Sequence, residues 1–159
     1  MPRKFIYGGH VGSLEIVQWP DPILTQPAEE ITCLDDDLVT KLKSIQDFVQ
    51  ATPHCGGLAG PQVGMPLRFF VTEQGIFINP KLVNFGSETE IAFEGCMSMS
   101  PDTLVPVERF TRCWVVYTTI YNRMPKLICS PDKYTARLWQ HEMDHLDGIT
   151  ILQKGQPVT

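Results

Sequence analysis

From Asp35 onward, Leu38, Leu42, Ile45 and Val49 return at intervals of three and four with polar residues between them. That spacing predicts an amphipathic helix, and the aspartates at its start suit the positive end of the helix dipole. Upstream, Leu14-Glu15-Ile16-Val17 reads as a short strand. Trp19-Pro20-Asp21-Pro22 reads as an irregular loop, because two prolines lock the backbone and remove donors. Between Leu67 and Arg112 the apolar stretches are short (RFFV, IFINP, LVPVERF) and broken by Gly and Pro, and the β-rich run WVVYTTIY follows from Trp114 to Tyr121. This middle region is expected to form antiparallel strands and turns. A last helix should begin with Ser130 as N-cap, Pro131 in the first helical position and Asp132 complementing the dipole, and stop at Gly148. On it Tyr134, Leu138, His141 and His145 share one stripe, so both imidazoles point where core residues would point.

Composition narrows the field. A chain of 159 residues suits one domain, 1–159, with residues 1–13 as a loose N-terminal tail. Hydrophobic residues make up 43% and charged residues 19%, and no apolar run approaches the roughly 20 residues of a membrane span. The net charge of −5 and the lack of any basic cluster beyond Arg3-Lys4 argue against DNA and point to a small ligand. Five cysteines without zinc-ribbon or disulfide-scaffold spacing read as free thiols in a reducing compartment, and the first dozen residues lack a secretory signal, so a cytoplasmic location is expected. Cys33, Cys113 and Cys129 are taken as small buried hydrophobes.

The stretch WQHEMDHLDG, Trp139 to Gly148, carries the chemistry. Buried polar rings need partners, and two histidines at i and i+4 can clamp one metal ion from consecutive turns. Glu142, about 100° round the helix, can reach a metal-bound water without ligating. A third ligand has to come from upstream. The histidine slot of an extended HExxHxxGxxH pattern holds Ile151, and none of the residues after His145 is Glu. His10 and His54 remain open, and Cys96 in FEGCMSMSP is the better candidate because Gly95 lets the backbone come close. A third segment, CGGLAGPQVG from Cys55 to Gly64, is dense in glycine and carries Gln62 behind a proline.

Together these segments resemble the peptide deformylase family, in order and over most of the chain from LEIVQWPDPIL to the end of the last helix. The family pattern reads GxGxAAPQ, EGCxS and QHExDH; this chain has CGGLAGPQ, EGCMS and QHEMDH. Cys55 stands where the family has its first glycine, Gly60 replaces an alanine, and Val107 lies where many members carry an arginine after LVP that is thought to help hold the substrate chain. The chain also ends soon after the metal helix, without the long C-terminal helix of some members.

The resemblance implies an α+β fold, with short antiparallel sheets wrapped around the helix that carries HExxH. It implies that Cys96, His141 and His145 bind one divalent metal, commonly Fe2+, with Zn2+, Ni2+ or Co2+ able to replace it. Glu142 is implied as general base, Gln62 and the backbone N–H of Met97 as oxyanion donors, and Gly57, Leu58, Glu94 and Gly95 as substrate-binding residues. The implied reaction removes the formyl group from N-formylmethionyl nascent peptides, near the ribosome, releasing formate. The other readings are a non-catalytic metal-binding relative, which the altered first motif makes thinkable, and a metallopeptidase, against which the absent downstream ligand speaks. Cys55 is expected to turn away from the metal as a packing residue, because Gly56 and Gly57 let the chain turn.

Overall fold

In the computed structural model, which describes residues 5–7, 10–12 and 14–155 and side chains from residue 14 onward, helix α1 spans Asp36–Ala51. Asp35 is its N-cap, and the carboxylate accepts from the Leu38 N–H at 2.8 Å, satisfying one of the donors a helix start leaves open. Leu42, Ile45, Phe48 and Val49 are buried, so the stripe read from the sequence is the packed face.

Five strands form the main antiparallel sheet: β3 (Gly57–Ala59), β4 (Phe69–Thr72), β5 (Gly75–Phe85), β8 (Cys113–Thr118) and β9 (Lys126–Cys129), paired in the order β3-β4-β5-β8-β9. Strands β6 (Thr89–Glu94) and β7 (Val105–Phe110) form a separate antiparallel pair. Strand β4 is buried at every position, and the reason is visible in what each side chain touches. Phe69 and Val71 join the core built on α1, while Phe70 joins a second core around Trp139, Met143 and Leu146. A strand covered by helices on both faces needs apolar residues at consecutive positions. Phe70 and Phe77 stack across β4 and β5 with ring centroids 4.5 Å apart.

Helix α2, Lys133–Leu146, lies across the other face of the sheet. Its N-cap is Asp132, whose side chain accepts from the Thr135 N–H at 2.7 Å; it is not Ser130, as expected from the sequence. The sheet competes for Ser130: its N–H donates to the Cys113 carbonyl, and its hydroxyl accepts from the Cys113 N–H, so the residue tethers the end of β9 to β8. The helix ends at Leu146 with Asp147 as its C-cap, and Gly148 turns the chain at φ 73°. A side chain there would meet the Thr25 backbone at 2.8 Å. A short helix α3, Ile151–Lys154, follows, with Ile151 buried against Met99 and Val107.

Several expectations change here. Leu14–Val17 is not a strand; it runs as extended chain that places the Val17 N–H on the Gln62 carbonyl at 2.8 Å. In the segment expected to be a loose tail, β1 (Phe5–Tyr7) pairs antiparallel with β2 (His10–Gly12). Cys33 is exposed, Cys113 is buried and Cys129 is partly buried, so only Cys113 fits the buried reading fully. Burial pushes its thiol up to about 11.

Leu42, fully enclosed on α1, tests the first core without touching the second. Leu42→Ala is expected to lower unfolding free energy by about 2–5 kcal/mol, read as a shift of the urea midpoint with metal content unchanged.

Candidate metal centre

Helix α2 carries His141 and His145 one turn apart, and Cys96 comes two residues after the end of β6. The three meet. Cys96 Sγ lies 3.4 Å from His145 Nε2, which lies 3.2 Å from His141 Nε2, and the three ligand atoms all fall within 4.8 Å of one another. His141 Nδ1 sits 2.9 Å from Glu94 Oε1. An ionised carboxylate only accepts, so Nδ1 holds the hydrogen and Nε2 keeps its lone pair for a cation.

The electrostatics fit a positive ion. Burial works against charging His141, but the pull of Cys96, Glu94 and Glu142 outweighs it and raises its pKa well above the ordinary value. His145, deeply buried beside His141, is lowered well below it. The Glu94 and Glu142 carboxyls beside the two imidazoles make a field that favours a cation there. A thiolate with two imidazoles is a donor set for transition metals, and three protein ligands leave a coordination place open, as catalytic rather than structural zinc sites do.

Glu94 is held in turn. Burial pushes its carboxyl up, but hydrogen bonds from His141 and Arg109 hold it down at about 2. Arg109 Nε and Nη2 donate to its two oxygens at 2.9 and 3.0 Å, and Arg137 Nη1 donates at 2.6 Å. Arg109 also donates to Asp144, and Arg137 to the Val107 and Glu90 carbonyls. This network joins β6, β7 and α2 behind Cys96, His141 and His145.

Beside the ligands lies a cavity of about 210 Å³, lined among others by Gly57, Gln62, Gly95, Met97 and Glu142. Gln62 is 1% exposed, and its amide is oriented: Oε1 accepts from the Ala59 N–H at 3.0 Å, leaving Nε2 to donate to Cys96 Sγ and Ser98 Oγ at 3.4 and 3.2 Å. Glu142 is 2% exposed, and its Oε2 meets no hydrogen-bond partner among the described residues. Burial pushes its carboxyl up to about 7, against the opposing pull of His141. Gly57 makes this approach possible: a Cβ there would stand 2.9 Å from the Val71 carbonyl and 3.3 Å from Glu142 Oε1.

The remaining expectations sort cleanly. Gly57, Gln62, Gly95, Met97 and Glu142 share one cavity, but Leu58 does not line it; its side chain is fully buried in the α1 core. Glu94 lines the cavity, yet its carboxylate is engaged by His141 and the two arginines rather than open to a peptide. Cys55 is buried in the α1 core with its thiol 3.8 Å from the Gly57 carbonyl, outside the group of ligand atoms. His54 is exposed in the turn after α1, and the side chain of His10 lies outside the described residues. A Cβ at Gly60 would fall 2.2 Å from the Leu67 carbonyl oxygen, so in this chain the backbone occupies the space an alanine would need. Tyr134, expected on a core stripe, is 76% exposed at the cavity mouth, while His145 at the other end of that stripe is 1% exposed. Arg109, Arg137 and Ser98 were missed. Period-two alternation carries a signal for Arg109, because Val107 and Arg109 of VPVERF face the same side and both are buried. Ser98 and Arg137 have no such signal, since their partners are distant in sequence.

An α+β scaffold holding a cysteine sulfur and two imidazoles beside a buried glutamate and an oriented amide defines a metal-dependent hydrolase. The Polypeptide deformylase profile matches residues 13–159. A peptide deformylase of Thermotoga petrophila is 37% identical over 143 residues, covering 86% of this chain and 84% of its own length. One from Desulforudis audaxviator is 35% identical over 150 residues, covering 91% and 94%. Among solved structures, the Thermotoga maritima peptide deformylase superposes with a TM-score of 0.80 at 34% identity, covering 91% of this chain and 98% of its own. The enzyme from Synechococcus elongatus, in complex with actinonin, gives 0.82 at 31% identity, covering 91% and 79%. The chain belongs to the peptide deformylase family.

Two outcomes test the site. Glu94 has a folded pKa near 2 against an ordinary 4.5, so its stabilisation is present above about pH 4.5 and is lost as pH falls through 2. Glu94→Gln should lower stability at pH 7 by about 3–5 kcal/mol, flatten the acid limb of urea-unfolding curves, and weaken metal binding roughly 10- to 100-fold. Gly57→Ala should retain the metal and lower turnover at least about tenfold, because the methyl displaces Glu142 from near-attack geometry.

Proposed function

We propose that this enzyme removes the formyl group from the N-terminal formylmethionine of nascent peptides, with Fe2+ as its resident ion and Zn2+, Ni2+ or Co2+ able to stand in for it. The observation that carries the reading is the meeting of Cys96 Sγ, His141 Nε2 and His145 Nε2 beside Glu142, a buried carboxylate with an unpartnered oxygen.

When bound, the divalent ion supplies Lewis acidity toward water and the formyl carbonyl. Glu142 takes the proton of the attacking water and delivers it to the departing amine, a role suited to a carboxylate poised near neutrality. The Gln62 amide, its oxygen engaged by Ala59 and one N–H by Ser98, redirects the N–H that contacts Cys96 Sγ toward the negative charge growing on the formyl oxygen, together with the backbone N–H of Met97. Each such donor typically contributes about 3 kcal/mol to the transition state. The products are formate and a peptide with a free α-amino group.

Strand β3 is the edge of the main sheet, which gives Gly57 and Leu58 a main-chain role toward an extended peptide, with Gly95 on the facing wall of the cavity. Glu94 serves the substrate indirectly, through His141. Among the described residues no helix is long and apolar enough to cross a membrane. The substrate we propose places the enzyme in the cytoplasm near the ribosome, where formylated chains emerge.

Protein loaded with Fe2+ or Ni2+ is expected to release formate from a formyl-Met peptide, with about one metal per chain. Cys96→Ala, His141→Ala and His145→Ala should each lose the metal. Glu142→Gln should keep it and lose at least about a hundredfold in turnover, and the acid limb of the pH-rate profile, rising toward pH 7 as Glu142 ionises, should vanish with it. Cleavage of unblocked peptides without formate would overturn the reading.

A further inference from the structure

Segment 17–19 supplies no metal ligand, yet each of its residues donates a hydrogen bond to backbone beside the site. The Val17 N–H donates to the Gln62 carbonyl at 2.8 Å, Gln18 Nε2 to the Met97 carbonyl at 3.0 Å, and the Trp19 N–H to the Ser98 carbonyl at 2.7 Å. Gln62 and Met97 carry the two oxyanion donors, and Ser98, fully buried, holds one N–H of the Gln62 amide. Three consecutive residues therefore fasten the three that shape the oxyanion site.

The segment is itself anchored. Ile16 is 7% exposed and sits in the α1 core, and Gln18 Nε2 also donates to the Ile16 carbonyl at 3.2 Å. One amide nitrogen thus bridges the anchored chain to Met97. Peptide geometry links that bond to the oxyanion donor. Residues 96–99 turn back on themselves, and the Cys96 carbonyl accepts from the Met99 N–H at 3.0 Å. That carbonyl and the Met97 N–H are opposite ends of one planar peptide, so the turn sets the direction of the N–H. Gln18 and Trp19 pin the next two carbonyls of the same turn, which leaves its backbone little freedom to rotate.

We propose that segment 17–19 is a positioning strap for the oxyanion donors, in which the Gln18 amide holds the 96–99 turn so that the Met97 N–H meets the formyl oxygen. The inference rests on the deformylase reading above. Gln18 does not line the cavity and acts only through Met97. An oxyanion donor works on charge that develops in the transition state, so loosening it lowers kcat and leaves KM alone.

Gln18→Glu keeps the side-chain length but replaces the donor with a carboxylate that only accepts, whereas Gln18→Lys restores a donor. With Ni2+-loaded enzyme and a formyl-Met peptide, Gln18→Glu is expected to lower kcat about tenfold with KM and metal content unchanged, and Gln18→Lys to return kcat to the parent value. Amide hydrogen exchange of the Zn2+-loaded protein gives a readout independent of turnover. The Met99 N–H should exchange roughly fivefold faster in Gln18→Glu, the worth of one net hydrogen bond, and at the parent rate in Gln18→Lys. Parental kcat in Gln18→Glu overturns the proposal, as does a loss that tracks departure of the metal or one that Gln18→Lys fails to recover. So does a lower kcat beside an unchanged Met99 rate, because the turn would not be what Gln18 holds. A parent enzyme that releases no formate sinks the deformylase reading and the proposal with it; equal formate release by parent and Gln18→Glu sinks the strap alone.

Discussion

One carboxylate, Glu94, with its side chain 6% exposed, is the joint on which the site is assembled. It stands at the end of β6 and accepts from Arg109 on β7 and from Arg137 and His141 on α2. A lone buried anion would be intolerable in this environment; with three donors it is satisfied, and it remains ionised well below the usual carboxylate range. Two residues further on is Cys96, so whatever fixes Glu94 also fixes where the thiol can go. The same carboxylate selects the tautomer of His141. Strand pair, helix, the Cys96 thiol and the His141 imidazole are thus placed by one charge and its neighbours.

Helix α2 divides two environments. Ala136, Trp139, Met143 and Leu146 pack on the main sheet, while His141 and His145 face Cys96 and Glu94 on the other side. Apolar packing on one side makes the helix rigid enough to hold imidazole nitrogens at 3.2 Å on the other. The raised pKa of Glu142 comes from the same arrangement, because a carboxylate enclosed in a packed helix loses the water that would favour its charge. Gly57 lets β3 come close enough to complete that enclosure.

The departures from the family's pattern are absorbed in different ways. At Cys55 the chain turns into the α1 core, so its thiol is a packing group and the metal site gains no second sulfur. Val107 is buried with Met99 and Ile151, and an arginine, Arg109, appears two residues later on the same face of β7 and meets Glu94. In a strand, a shift of two keeps a side chain on the same face. Arg109 accordingly reaches both Glu94 and, on helix α2, Asp144.

The sequence by itself determined what depends on local periodicity and on chemistry carried within a short stretch. The stripe of α1, its aspartate cap, the strand-rich middle and the pairing of His141 with His145 could all be read, because helix geometry fixes what i and i+4 share. Cys96 and Gln62 were legible as members of motifs, though not as neighbours. Only the tertiary structure decided which residue caps α2, since Ser130 had two possible partners and the sheet took it. It also decided that Glu94 serves His141, that Leu58 faces the core, and that Arg109, Arg137 and Ser98 stand behind the site. Those assignments rest on contacts between residues 15 to 47 positions apart. Hydrogen bonding and burial across such separations depend on how sheets and helices stack, which no local pattern encodes.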